Sequence, residues 1–253
     1  KEETIMGMMM ERTTPELALA KSEGGQVDLL NGFAVIPSYP ISNTKKLKEL
    51  KIGLSGITPD VLKGLTSERQ KIESLDPFVV ALSQAATPLN PDELERHLKA
   101  SDMVQSDHEQ IREKAFQILG GESKAIAISH TLTKWVYNYL EKKPVASISG
   151  AVDILNTGIG DCTEHTTLYT ALSRAAGVPT KIHIGLVYLQ GRFLFHAWPV
   201  VAIDGEWVDV DPSLNQFPAD ATHIALVEGD FENLTNLIPV LGNVKIEILE
   251  QIY

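Results

Sequence analysis

Cysteine is almost absent from this sequence: Cys162 is the only one among 253 residues. A single cysteine excludes a disulfide within the chain and any zinc site built from several thiolates. The chemistry of that one thiol is therefore the first question that the sequence raises.

Positive charge is also scarce, since 22 Lys and Arg stand against 33 Asp and Glu and give a formal net charge of −11. Phosphate backbones and anionic lipid surfaces repel such a chain, so we predict no nucleic-acid partner. No apolar run approaches the roughly 18 to 20 residues that a membrane-spanning helix needs, and no span is predicted. The 43% hydrophobic content suits a packed core.

The first hundred residues differ in pattern from the remainder. Short apolar stretches there are separated by Pro, Gly, Asn and Ser, which favours a run of strands. The stretches are 27–30, 33–36, 50–54 and 78–82. We predict two parts, a mainly β accessory region over residues 1–100 and a second domain over residues 101–253.

Helical signals begin after that boundary. Ser106 followed by Glu109 has the capping-box spacing and predicts a helix that ends before Gly120-Gly121. Apolar residues recur at helical spacing over 122–142 and predict a second helix. Ser149 is in position to cap a third, short helix that ends near Thr157.

The tetrapeptide Asp161-Cys162-Thr163-Glu164 predicts a helix start. With Asp161 as N-cap and Glu164 at the third helical position, the pair forms a capping box and makes Cys162 the first helical residue. A thiol at a helix N-terminus is close to unpaired amides and the positive end of the helix dipole, which favours the thiolate. The negative charge of Asp161 opposes that effect, so the thiol needs a cationic partner.

A hairpin supplies a candidate for that partner. Asp204-Gly205 is a strong two-residue turn between two strands, and counting back from it places Trp198 opposite Asp211. His196 then shares a face with Trp198 and lies diagonal to Asp211, about 7 to 8 Å away between backbone positions. Pro199 lies within the strand, where a bulge or an edge could shift the register.

Each of these residues also has an ordinary structural interpretation. A lone cysteine is often buried, a histidine is often a satisfied core residue, and Asp211-Pro212 could simply open a turn. Taken together, a nucleophile, a base and an orienting acid are the three roles of a cysteine acyl-transfer triad. The residues alone leave the two interpretations about equally weighted.

Three blocks in the right order resemble the transglutaminase-like superfamily, which shares the papain-like cysteine protease fold. The blocks run from Gly160 to His165, from His196 to Trp198 and from Asp209 to Ser213. The continuation from Asn215 to Ile224 resembles the bacterial branch. The resemblance covers about residues 106–240, and it implies an α+β fold in which a helical part carrying the cysteine packs on an antiparallel sheet carrying the histidine and the acid.

The resemblance implies Cys162 as nucleophile, His196 as general base and Asp211 as the orienting acid, with Asp209 as the competitor for the last role. His165 is implied to support the site or to pack beneath it. The implied activity is that of a peptidase or amidase on a peptide or protein substrate, with hydrolysis and transamidation both open. The resemblance implies no cofactor and no metal. It does imply export to an extracytoplasmic compartment.

Two other hypotheses remain open. A catalytically silent member of the fold would bind a peptide or partner protein, with the β region supplying the surface. A metal site would use Cys162, His165 and two further histidines, but one cysteine without repeat spacing gives it little support.

Overall fold

The helices lie mainly in the middle of the chain, between strands of the N-terminal part and a run of strands that follows the last helix. The computed structural model describes residues 2–5, 8–11, 34–57, 59–143, 149–229 and 243–253. The α-helices are α1 (Asp60–Lys63), α2 (Glu109–Leu119), α3 (Ala125–Tyr139), α4 (Ala151–Thr157) and α5 (Cys162–Ala175), with 3-10 helices at Thr44–Lys46 and Pro91–Leu98. The strands are β1 (Glu2–Ile5), β2 (Met8–Glu11), β3 (Glu49–Ser55), β4 (Gln70–Leu75), β5 (Phe78–Ser83), β6 (Thr87–Pro88), β7 (Glu141–Lys142), β8 (Ile159–Gly160), β9 (Thr180–Leu189), β10 (Arg192–Ile203), β11 (Glu206–Asp209), β12 (Ile224–Glu228) and β13 (Lys245–Ile252).

The main sheet has the antiparallel order β12-β9-β10-β11-β6. The hairpin register is the predicted one, because Ile203 pairs with Glu206 and Ala202 with Trp207 around the Asp204-Gly205 turn. Pro199 causes no shift in the ladder between β10 and β9. The ladder between β10 and β11 ends at Val200 and Asp209, next to that proline.

Helix α5 is the central element of the helical part. Its residues from Glu164 to Arg174 are buried, and it contacts α2, α3 and α4 as well as β9 and β10. Leu168 and Leu172 join a core cluster that also contains Phe195 of β10. The predicted α+β architecture, with the cysteine helix packed on an antiparallel sheet, is confirmed. None of the helices in the described ranges is long and apolar enough to cross a bilayer.

The side chains of β10 separate onto two faces, as the period of a strand requires. Phe195 and Ala197 join the cluster that contains α5. Trp198 and Val200 belong to a second cluster, against which Leu65, Leu89 and Leu94 of the N-terminal part are packed. Residues from the first hundred therefore cover one face of the sheet.

A second sheet has the order β13-β3-β5-β4. Its strands β3 and β5 confirm the predictions for 50–54 and 78–82. Residues 27–33 lie outside the described residues, and of 33–36 only Val35 makes an isolated bridge, to Phe193. Strands from the two predicted parts also pair with each other, β6 with β11 and β13 with β3. The division at residue 100 stays a prediction.

Several predicted helix starts are displaced. The N-cap of α2 is His108, whose Nδ1 accepts a hydrogen bond from the amide of Gln110, and not Ser106. Helix α3 begins at Ala125 because the Glu122 carboxylate accepts the amides of the two residues that follow it. It ends at Tyr139 because residues 141–142 pair with β8 instead. The N-cap of α4 is Gly150 rather than Ser149.

Gly185 permits close contact between β9 and β12. A Cβ at this position would lie 1.9 Å from the carbonyl oxygen of Ile224. We predict that Gly185→Ala forces the two backbones apart and lowers the free energy of unfolding by at least about 1–3 kcal/mol. Gly64→Ala is the matched control, because a Cβ there meets nothing within 4 Å and its φ is −75°. Urea unfolding measures both; equal stabilities would contradict the close contact.

Candidate active site

Cys162 is held at the start of α5 by a capping box. The Asp161 carboxylate accepts the amide of Thr163 at 2.9 Å, and the Glu164 carboxyl accepts the amide of Asp161 at 3.0 Å. Cys162 is half-buried, and the helix residues that follow from Glu164 to Arg174 are buried. The predicted helix start is confirmed.

The Glu164 side chain packs closely against Gly160, the residue before the N-cap Asp161. A Cβ on Gly160 would lie 2.2 Å from the Glu164 Cβ, so only glycine fits there. Burial, together with a hydrogen bond and charge from Asp161, raises the pKa of Glu164 to about 8. The Glu164 side chain is therefore protonated at neutral pH, which removes one negative charge from the neighbourhood of the thiol.

His196 lies on β10 with its side chain buried. Its Nε2 donates to the Asp211 carboxylate oxygen Oδ2 at 2.7 Å, and its ring stacks on Trp198 with centroids 6.1 Å apart. Burial acts to lower the pKa of His196, but the charges of Asp211 and Cys162 and hydrogen bonds to both raise it to about 10. The ring is an imidazolium beside the thiol at neutral pH.

Asp211 is fully buried just beyond the end of β11. Its Oδ1 accepts the amides of Ser213 and Leu214 and the Ser213 hydroxyl, at 2.8, 3.0 and 2.8 Å. Asp211 thus opens a turn, which was the ordinary structural role expected for Asp211-Pro212, and it also binds His196. Burial opposes ionisation, yet the neighbouring histidines hold the pKa of Asp211 well below its usual range.

Asp209 does not bind His196. Its Oδ1 accepts the Trp198 indole N–H at 2.7 Å, and it lies 3.5 Å from Arg69 Nε and 3.4 Å from His183 Nδ1. The geometry therefore favours Asp211 over Asp209 as the partner of His196.

His165 supports the helix start. Its Nδ1 donates to the carbonyl of Asp161, which also accepts the His165 amide. Burial lowers the pKa of His165, so the ring is neutral. It contacts the residue before the cysteine and stabilises the cap, in agreement with a supporting role.

Sequence reasoning gave no role to His223, a fully buried residue just before β12. Its Nε2 donates to the same Asp211 oxygen that binds His196, at 3.1 Å. No local pattern indicates this contact, because it depends on the pairing of β12 with β9. The spacing of Asp220 and His223 could at most have indicated a turn.

Three side chains offer atoms suitable for a metal ion, since His196, Asp211 and His223 place ligand atoms within 4.8 Å of one another. Both histidine nitrogens, however, lie at hydrogen-bond distance from one carboxylate oxygen. The other oxygen is used by the turn at Ser213. We therefore interpret the group as a hydrogen-bonded network rather than as a metal site.

The raised pKa of Glu164 predicts a pH-dependent stability. Between its usual pKa of 4.5 and about 8, the folded state retains a proton that the unfolded state has lost. The stabilising contribution is complete below pH 4.5 and is lost as the pH rises to about 8. We expect Glu164→Gln, which keeps an acceptor for the Asp161 amide, to gain stability relative to wild type over this range. Urea unfolding at several pH values measures the difference; a constant difference would contradict a protonated Glu164.

Residues 112–212 match the model of the transglutaminase-like superfamily. A candidate cysteine protease from Cytophaga hutchinsonii has a similar fold, with TM-score 0.53 and 15% identity over 79% of this chain and 83% of that one. The periplasmic domain of TgpA from Pseudomonas aeruginosa, in a structure with bound ethylmercury, also has a similar fold, with a TM-score of 0.51. The two are 16% identical over 75% of this chain and 94% of the TgpA domain.

An uncharacterized protein of Haemophilus influenzae is 28% identical over 112 residues, which are 40% of this chain and 30% of that protein's length. Its own activity is thus no guide to this chain. The family match, which runs from α2 to just past Asp211, and the shared fold confirm the predicted resemblance of residues 112–212 to the transglutaminase-like superfamily.

Proposed function

We propose that this protein is a cysteine-dependent acyl-transfer enzyme that acts on amide bonds of peptides or proteins. Cys162 is the proposed nucleophile, His196 the general base and acid, and Asp211 the orienting acid. One observation carries the proposal: the buried His196 hydrogen-bonds to Asp211 on one side and faces Cys162, the only cysteine, on the other. Burial of a charged imidazole is unfavourable unless both partners compensate it.

The proposed reaction begins from a thiolate–imidazolium pair. The Cys162 thiolate attacks the amide carbonyl carbon, and the His196 proton passes to the departing amine as the C–N bond breaks. Nε2 of His196 is bound to Asp211, so Nδ1 is the nitrogen that exchanges this proton. Water or a second amine then attacks the thioester, giving hydrolysis or transamidation.

The start of α5 supplies a donor for the oxyanion. The amides on either side of Cys162 already donate to acidic side chains, that of Asp161 to the Glu164 carboxyl group and that of Thr163 to the Asp161 carboxylate. The Cys162 amide is at the first helical position and has no intrahelical acceptor. It is the proposed donor to the tetrahedral intermediate.

An extracytoplasmic location is part of the proposal. It rests on the family resemblance and on the similar fold of the TgpA domain, which is periplasmic. Fractionation of cells that produce the full-length protein tests it, and a purely cytoplasmic signal would contradict it.

We predict that the thiol reacts with iodoacetamide below the pH at which an ordinary thiol does, because the His196 imidazolium stabilises the thiolate. In His196→Ala the alkylation profile should move to that of a free cysteine, with a loss of at least about tenfold in rate at pH 6. Labelling is specific because Cys162 is the only cysteine. His130→Ala, which alters an exposed histidine on α3, is the matched control. Identical profiles in wild type and His196→Ala would remove the partner role.

We also predict that Cys162→Ala and His196→Ala each lower turnover by at least about a thousandfold. Asp211→Asn should have a smaller effect, because it disturbs the orientation of the imidazole and removes no reacting atom. A peptide library with an added fluorescent amine reports cleavage and amine incorporation together, and circular dichroism verifies that each variant is folded. If the wild type neither cleaves nor transfers, yet binds a peptide equally well as Cys162→Ala, the silent binding module is the better description.

A further inference from the structure

The acid of the proposed triad is shared by two histidines. His196 Nε2 and His223 Nε2 both donate to Asp211 Oδ2, at 2.7 and 3.1 Å, and their ring centroids are 5.8 Å apart. Both side chains are buried, with 5% and 0% exposure. A triad needs only one of these contacts, so the second requires its own explanation.

The neighbours of His223 determine its protonation. Nε2 faces a carboxylate oxygen of Asp211, which can only accept. Nδ1 lies 3.1 Å from the carbonyl oxygen of Asp220 and 3.3 Å from its carboxylate Oδ1, and both of these are also acceptors. A neutral imidazole has one N–H and one lone pair, so it would direct a lone pair at an acceptor. Only the doubly protonated ring satisfies both sides.

The other groups around His223 include an aromatic ring, a second carboxylate and one cation. The Trp198 ring packs edge-on against it with centroids 5.0 Å apart. The Asp220 carboxylate is itself fixed by the Thr222 amide and hydroxyl and by the Gln216 side chain. Arg69 binds the Asp220 carbonyl and lies with His223 on the wall of one cavity. Burial acts to lower the pKa of His223, but the hydrogen bonds and charges of Asp211 and Asp220 raise it.

We propose that His223 is a positioning residue that, as a buried imidazolium, holds Asp211 and offsets part of its charge. This inference rests on the proposed function, since it assigns His223 a role in the same site. The chain of contacts runs from Cys162 through His196, Asp211 and His223 to Asp220. The His223 imidazolium keeps Asp211 oriented and also reduces the effect of the Asp211 charge on His196. This matters because His196 must give up its proton to a leaving amine.

The charge and the hydrogen bond have separable consequences. A positive charge at His223 favours the thiolate of Cys162 and disfavours the proton on His196. Its removal should therefore move both limbs of a pH–rate profile to higher pH. At a ring separation of 5.8 Å the limb set by His196 should shift by about 0.5–2 pH units, and the limb set by Cys162, which lies on the far side of His196, should shift by less. Loss of the hydrogen bond alone would lower the rate without moving the limbs.

The test uses the pH dependence of Cys162 alkylation by iodoacetate, which needs no substrate. The negative charge of this reagent makes the rate depend on the protonation of both Cys162 and His196, so the profile has two limbs. His223→Gln can still donate to Asp211 but carries no charge, so we expect an upward shift of the profile with the rate at the optimum reduced less than tenfold. His223→Leu removes charge and donor, so we expect the same shift with a further loss of rate. His97→Gln is the matched control, since His97 is another buried histidine, packed edge-on against Trp207 and neutral because burial lowers its pKa to about 4.

An unmoved profile in a folded His223→Gln would overturn the proposal.

Nitrogen-15 NMR of the wild type at pH 7 tests the proposal even if the variants do not fold. A doubly protonated His223 gives two similar ring nitrogen shifts, whereas a neutral ring gives two widely separated shifts and would overturn the proposal. Dialysis against EDTA should leave the profile unchanged, and a change would overturn it in favour of a bound metal. If these results are as expected while no peptide is cleaved or transferred, the proposed function fails and the assignment of His223 stands.

Discussion

A buried carboxylate at Asp211 is the constraint on which the arrangement of the site depends. An ionised carboxylate away from water is strongly unfavourable unless each oxygen is compensated. One oxygen is bound by the turn that follows β11, and the other by His196 from β10 and by His223 just before β12. The carboxylate thereby joins three segments of the fold, the turn after β11, strand β10 and the residues that precede β12.

The charges on either side of the thiol are adjusted in different ways. On the helix side, burial keeps Glu164 protonated, so the cap adds only the charge of Asp161 next to Cys162. On the sheet side, Asp211 favours a charged His196, while His223 offsets part of its effect. Both adjustments depend on the exclusion of water, because the same pairs on a surface would interact weakly.

The sequence identifies what local chemistry determines. The cap at Asp161 and Glu164, the register around Asp204-Gly205 and the left-handed Gly120 that ends α2 were predictable because short spacings specify them. The contact of His223 with Asp211 was not, because periodicity shows which residues are buried but not which strand lies beside them. The displaced start of α3 has a different, local origin: Glu122 accepts the amides of Ser123 and Lys124 ahead of the helix, and apolar periodicity does not reveal such a contact.

The position of β13 affects how the chain can fold during synthesis. This strand, residues 245–252, completes the second sheet by pairing with β3, residues 49–55. Ribosomes release the N-terminal strands first, so one edge of β3 has no partner while almost 200 further residues are made. An open edge is a template for pairing with other chains. A nascent chain of this protein therefore carries an aggregation-prone edge until residues 245–252 have been made and have paired with β3.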